Sequence, residues 1–167
     1  MKKGFFIVVM ITLVTFIAIS LSSCGDDAKP SYNFHDQDVS GKIGNLAWEY
    51  ADGYATIYGE DEDATLSISL FLAQTDQGCN VFIPEGDEVF FSLPLKTGLY
   101  KLKFNLSDME NSRTVTLFED GTTTNHIASE GAVEITSISE TQLSGKIDAR
   151  VNKENSVNGK FSVSICN

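Results

Sequence analysis

Histidine is nearly missing from this chain, with two in 167 residues, and cysteine is hardly commoner, with three. Much chemistry leaves with them. No G-x-S-x-G, H-E-x-x-H or C-x-x-C spacing occurs, so the usual signatures of serine hydrolases, zinc peptidases and dithiol redox sites are not present. His35 falls in a polar stretch and His126 beside expected strand ends, and both read as surface residues rather than as halves of a catalytic pair. Positive charge is the second shortage: 12 Lys and Arg stand against 23 Asp and Glu, for a formal charge of −11. A chain so acidic has no electrostatic footprint for nucleic acid, nor for an anionic lipid face held by charge alone. The third shortage is helical periodicity. After residue 38 no long stretch repeats its apolar residues at a 3.6 spacing.

What the chain does have begins at its start. Lys2 and Lys3 precede an almost unbroken apolar run over 5–21, followed by Leu21-Ser22-Ser23-Cys24. Two charges, an apolar stretch and small residues at a cut are the layout of a secretory signal. A plain spanning helix wants roughly 20 apolar residues, and this run is shorter and interrupted by Thr12, Thr15 and Ser20. The four residues resemble a bacterial lipobox. That resemblance implies a diacylglyceryl group on the Cys24 sulfur, cleavage before it, and outer-membrane anchoring, since each buried methylene contributes about 0.8 kcal/mol and two or more chains hold stably. Gly25, Asp26 and Asp27 resemble the surface-export signal of Bacteroidota lipoproteins, which places the anchor at the cell surface or else at the periplasmic face. The expected organisation is a signal peptide over 1–23, a lipidated, flexible tether over 24–38 that contains Pro30, and one domain over 39–167. Losing Lys2 and Lys3 takes the formal charge from −11 to −13.

With Cys24 spent on lipid, Cys79 and Cys166 remain, and an oxidising compartment favours a disulfide between them. It closes a loop of 88 residues counted inclusively. In the chain-entropy account that constrains the unfolded chain by about 4 to 5 kcal/mol.

Short alternating runs separated by turn residues fill the rest. Strands are expected at 39–43, 46–50, 54–58, 65–73, 80–83, 89–93, 98–106, 114–118, 132–139, 142–151 and 160–166. Alternation is cleanest at Leu66, Ile68, Leu70 and Leu72, at Tyr100, Leu102, Phe104 and Leu106, and at Phe161, Val163 and Ile165. Each of these runs has one wet face, which points to antiparallel sheets. Asp52-Gly53, Asp120-Gly121 and Asn158-Gly159 are expected turns, the last closing a longer loop over 152–159. Residues 107–113 are too few and too polar to hold more than a turn of helix. The fold class is all-β, an antiparallel two-sheet β-sandwich or alternatively a small β-barrel.

Within that frame Gly131-Ala132-Val133-Glu134-Ile135, Leu143-Ser144-Gly145-Lys146-Ile147 and Val157-Asn158-Gly159-Lys160-Phe161 with a terminal cysteine resemble small uncharacterised Bacteroidota lipoproteins. Gly41-Lys42-Ile43-Gly44 with Trp48 resembles their first strands. The resemblance implies fold and address, and carries no activity, cofactor or catalytic residue.

Three groups of side chains remain as candidates. Glu60-Asp61-Glu62-Asp63 is the densest charge run, but it lacks the spacing of a dedicated calcium loop and reads first as solvated. Trp48, Tyr50, Tyr54 and Tyr58 lie close in sequence and serve either as a core edge or as a platform for sugar rings. Glu49, Asp52 and Glu134 are the acids an envelope hydrolase would use, if two of them faced each other across a cleft. The leading expectation is a non-enzymatic module, anchored through Cys24, that binds or scaffolds an envelope protein or a glycan.

Overall fold

Eleven strands and two single turns of 3-10 helix make up the part of the chain described by the computed structural model, residues 32–74, 79, 85–109 and 111–166. In chain order they are β1 (Ser40–Ile43), β2 (Leu46–Glu49), β3 (Asp52–Tyr58), β4 (Thr65–Phe71), β5 (Glu88–Pro94) and β6 (Gly98–Lys101). Then come β7 (Val115–Glu119), β8 (Thr124–Ala128), β9 (Glu130–Ile138), β10 (Gln142–Asn152) and β11 (Asn155–Cys166). All join one curled, open sheet in the order β6-β9-β10-β11-β3-β4-β5-β7-β8, with β1 and β2 attached to β11 off that path. Every strand pairing is antiparallel except β11 with β3.

β11 is where the sheet forks. One of its edges pairs with β10 along almost its whole length. The other edge is shared: residues 156–158 pair with β1 and residues 164–166 with β3. Between those ladders the backbone still needs partners, because an unpaired polar group in a half-buried sheet is costly. Lys160 N donates to Gln37 O at 2.7 Å, Val39 N donates to Lys160 O at 3.0 Å, and the Tyr50 hydroxyl donates to Ser162 O at 2.5 Å. Gly159 permits this crossing, since its φ is 143° and a Cβ there would lie 2.7 Å from the carbonyl oxygens of both Gln37 and Asp38. From the fork the sheet curls until β8 meets β10 and β1 meets β7.

The concave side is the core. Leu66, Ile68 and Leu70 of β4, Val89, Phe91 and Leu93 of β5, Val115 and Leu117 of β7, and Phe161, Val163 and Ile165 of β11 all face it. Fully burying one such side chain contributes about 1.5–3 kcal/mol. Phe161 stands edge-on to Phe91, with ring centroids 5.9 Å apart. It lies across Gly145, where an added Cβ would come within 2.6 Å of the ring. A one-residue register shift between β10 and β9 at Ser144/Gly145 accompanies that approach.

Ten of the eleven expected strands are found, shifted by a few residues at their ends, and the eleventh, 80–83, lies outside the described residues. β8 was not expected, since Thr124-Asn125-His126-Ile127 offers little apolar alternation, and β7 recruits it through the turn at Asp120–Thr122. Three readings need correction. Asn158-Gly159 is not a turn but mid-strand, because Asn152, Lys153, Glu154 and Asn155 already close a tight hairpin in which Glu154 N donates to Asn152 Oδ1. Asp52-Gly53 opens β3 instead of turning. The run 98–106 stops being a strand at Lys101: Leu102 is buried, but Phe104 is 50 % and Leu106 78 % exposed. Leu72, past the end of β4, is exposed as well.

Residues 33–38, expected as free tether, are docked along β11 rather than loose. The Asn158 side chain holds them on both sides, with Nδ2 donating to Asn33 O at 2.9 Å and Oδ1 accepting from His35 N at 2.8 Å.

Candidate functional site

The outward face of β9, β10 and β11 is where polar groups converge. Strand alternation turns Ser144, Lys146, Asp148 and Arg150 outward on β10, directly opposite Ser162, Lys160, Asn158 and Ser156 on β11. Two lysines facing each other across a ladder repel. Here each has its own carboxylate: Lys146 Nζ lies 3.2 Å from Glu134 on β9, and Lys160 Nζ is paired with Asp36. The Lys160 hydrogen bond, and then its charge, hold the Asp36 carboxyl below its ordinary range. Asp148 is buried and takes Arg150 Nε at 3.3 Å, while the Ser144 and Ser162 hydroxyls share a hydrogen bond of 3.0 Å.

Residues 33–38 cross this face as a strap. Beyond the Asn158 clasp, Gln37 Nε2 donates to Ser40 Oγ at 2.7 Å, and the Lys146 ammonium stands 5.9 Å from the Phe34 ring centroid, a cation–π distance. A cleft opens on either side of the strap. One is lined by His35, Gln37, Asp148, Arg150, Ser156 and Asn158. The other is lined by Tyr50, Thr136, Ser144, Lys146, Lys160 and Ser162. The second is amphipathic, combining a phenol ring with hydroxyls and two ammonium groups that are already neutralised. Burial pushes the Tyr50 phenol up to about 12, so it stays a neutral donor to Ser162 O.

The four aromatics proposed from sequence do not form one platform. Trp48 is core, 1 % exposed, with its indole Nε1 donating to Asp87 O at 3.0 Å. Tyr50 lies in the second cleft, Tyr54 packs against Phe71 at 5.7 Å between centroids, and Tyr58 is 60 % exposed at the end of β3. Nearness along the chain does not place them on one surface, because β2 pairs with β1 alone whereas β3 lies between β11 and β4.

The candidate acids sit on three strands. Glu49 is on β2, Asp52 on β3 with its carboxylate accepting from Gly53 N, and Glu134 on β9 is tied to Lys146. His126 Nε2 is 2.9 Å from Glu119 Oε2, and His35 belongs to the strap. The acidic run turns through 3-10 helix at Asp61–Asp63, and among the described residues no group of three potential metal ligands gathers. Cys79 and Cys166 are bonded, with Cα atoms 5.0 Å apart, whereas Cys24 lies outside the described residues.

Sequence reasoning missed Phe34, Asp36, Asn158 and Lys160 as parts of one surface. The signal was present in the 14-residue spacing of Lys146 and Lys160, which only a tight hairpin brings face to face. No protein family, curated protein or solved structure matches the chain.

Proposed function

We propose that this chain is a lipid-anchored, non-enzymatic binding module of the bacterial outer membrane, held through Cys24, and that the cleft beside Tyr50 takes a neutral glycan. Its curled sheet is counted as a two-sheet sandwich, with β11 as the strand the two sheets share. The cleft carries the reading. Its lysines are matched by Glu134 and Asp36, leaving no spare charge for an anion, while Thr136, Ser144, Ser162 and the Tyr50 ring supply the hydroxyls and flat carbon surface that sugars use. The lipobox, the resemblance to Bacteroidota lipoproteins and a disulfide suited to an oxidising compartment support the address.

The test is a glycan array probed with the full lipidated protein in detergent, alongside Ser144→Arg. That substitution fills the cleft from an outward position and leaves the core alone. Loss of binding by tenfold or more with an unchanged unfolding midpoint is the expected result. An array with no bound glycan removes the reading, and a protein captured from crosslinked envelopes would replace the glycan by a protein partner.

A further inference from the structure

We propose that the cleft on the other side of the strap, lined by Asp148, Arg150, Ser156, Asn158, His35 and Gln37, is a second saccharide site, in which two neighbouring sugar hydroxyls bridge the Asp148 carboxylate and the Arg150 guanidinium. The inference stands apart from the Tyr50 cleft and holds whether or not that one is filled. Its volume of about 460 Å³ suits a small ligand.

Asp148 is the side chain that calls for a partner. It is 3 % exposed, and a carboxylate so far out of water is costly unless donors take the place of the water. Its surroundings supply one polar contact, Arg150 Nε at 3.3 Å from Oδ1. The other neighbours on that face are spent or have nothing to give. Ala132, opposite on β9, presents a methyl group. Asn158, opposite on β11, has committed its amide nitrogen to Asn33 O and its amide oxygen to His35 N. Lys146, two residues earlier on β10, is drawn to Glu134. Among the described residues no N–H or O–H donates to Asp148 Oδ2, and this carboxylate lines the cleft.

Arg150 is half of the same arrangement. Its Nε is turned to Asp148, while Glu130, opposite on β9, makes no ion pair with it, so both Nη groups lack an acceptor among the described residues. The Ser156 hydroxyl, opposite on β11, has no hydrogen-bond partner among them either. His35 and Gln37 line the cleft from the strap.

Charge decides which class of ligand fits. Glu130 and Asp148 stand against Arg150 and against Lys42, which faces Ser156 from β1, so this part of the sheet carries two charges of each sign. An anion drawn to Arg150 meets Asp148 beside it, and a cation drawn to Asp148 meets Arg150. A hydroxyl escapes both penalties, because it donates through its hydrogen and accepts through its lone pairs. Two hydroxyls on adjacent carbons therefore give one hydrogen bond to Asp148 and take one from Arg150, each strengthened by the charge of its protein partner.

The experiment follows the Arg150 Nε–H and Ser156 N–H resonances of the full lipidated protein in detergent while D-glucose, D-galactose, D-mannose, acetate or methylammonium is added. Expected is a saturable shift with at least one sugar and a smaller one with either ion. Asp148→Asn, which keeps the shape and removes the charge, weakens that binding about tenfold. Ser156→Gln, which fills the cleft from an outward position, weakens it at least as much and carries the test should Asp148→Asn fail to fold. Sugars that shift neither resonance overturn the site and leave a cleft filled by solvent only. An ion that binds more tightly than every sugar overturns the saccharide assignment. Binding lost in Ser144→Arg but kept in Ser156→Gln places the sugar in the Tyr50 cleft alone, which supports that reading and overturns this one; the reverse pattern supports the second site and counts against the first.

Discussion

β4 and the run that starts in β6 both place apolar side chains at every second position, yet Leu66, Ile68 and Leu70 are sealed while Phe104 and Leu106 stand in solvent. The difference is in the neighbours. β4 has β3 on one side and β5 on the other, so both edges of its backbone are paired and its inner face is covered. β6 is an edge strand with β9 alone beside it, and the pairing ends where Lys101 meets Ala132. Past that point alternation has no sheet to alternate across. Periodicity of two describes a chain that suits a pleated surface; a partner strand decides whether the surface exists.

The sharpest challenge to that rule is Trp48, which sits on the edge strand β2 and is nevertheless core. If burial rather than strand position governs, Trp48→Ala lowers unfolding free energy by about 3–5 kcal/mol in urea titrations. A loss below 1 kcal/mol would show that edge position alone weakens a residue. Next in size is the direct contrast: Leu66→Ala costs about 2–5 kcal/mol, whereas Leu106→Ala stays within about 0.5 kcal/mol of wild type. Equal effects would break the comparison outright.

The disulfide binds the connection between β4 and β5 to the end of β11, so it stabilises the partnered side of the molecule. Cys79→Ser with Cys166→Ser is expected to cost about 2–5 kcal/mol, read as a shift in denaturant midpoint against the oxidised protein. An unchanged midpoint would remove the bond from the account. Smallest is Tyr50→Phe, which leaves Ser162 O without its donor for about 1 kcal/mol. It also has a pH signature. Since the folded phenol is pushed up to about 12 from 10.0, its neutral form is favoured by the fold. That contribution is complete below pH 10 and is lost as pH climbs through 12, so wild type weakens over that window and Tyr50→Phe weakens less. Parallel alkaline limbs would assign the loss elsewhere.

Most of the β pattern was legible because inward and outward residues alternate in composition along β4, β10 and β11. The fork was not. Asn158-Gly159 has the wording of a hairpin turn, and only the close passage of Gln37 and Asp38 reveals why that glycine belongs inside a strand. The disulfide followed from elimination among three cysteines, whereas the polar outer face of β9, β10 and β11 did not follow from anything local. Asp36, Asn158 and Lys160 span over a hundred residues, and polar side chains on an outer face obey no periodicity stronger than exposure. The aromatic cluster misled because nearness along a chain is lost at every corner.

The forked edge of β11 has a consequence for the order of events in folding. Its residues complete the ladders of β1, β3 and β10 at once, and they lie far down the chain from two of those partners. During synthesis, which delivers the amino-terminal strands first, β1 and β3 therefore wait with one edge unpaired until the final stretch arrives. Assembly of such long-range pairs is slow and exposes strand edges in the meantime. The chain thus commits to its structure late, and a deletion of a few residues from β11 would leave the early strands without the piece that joins them.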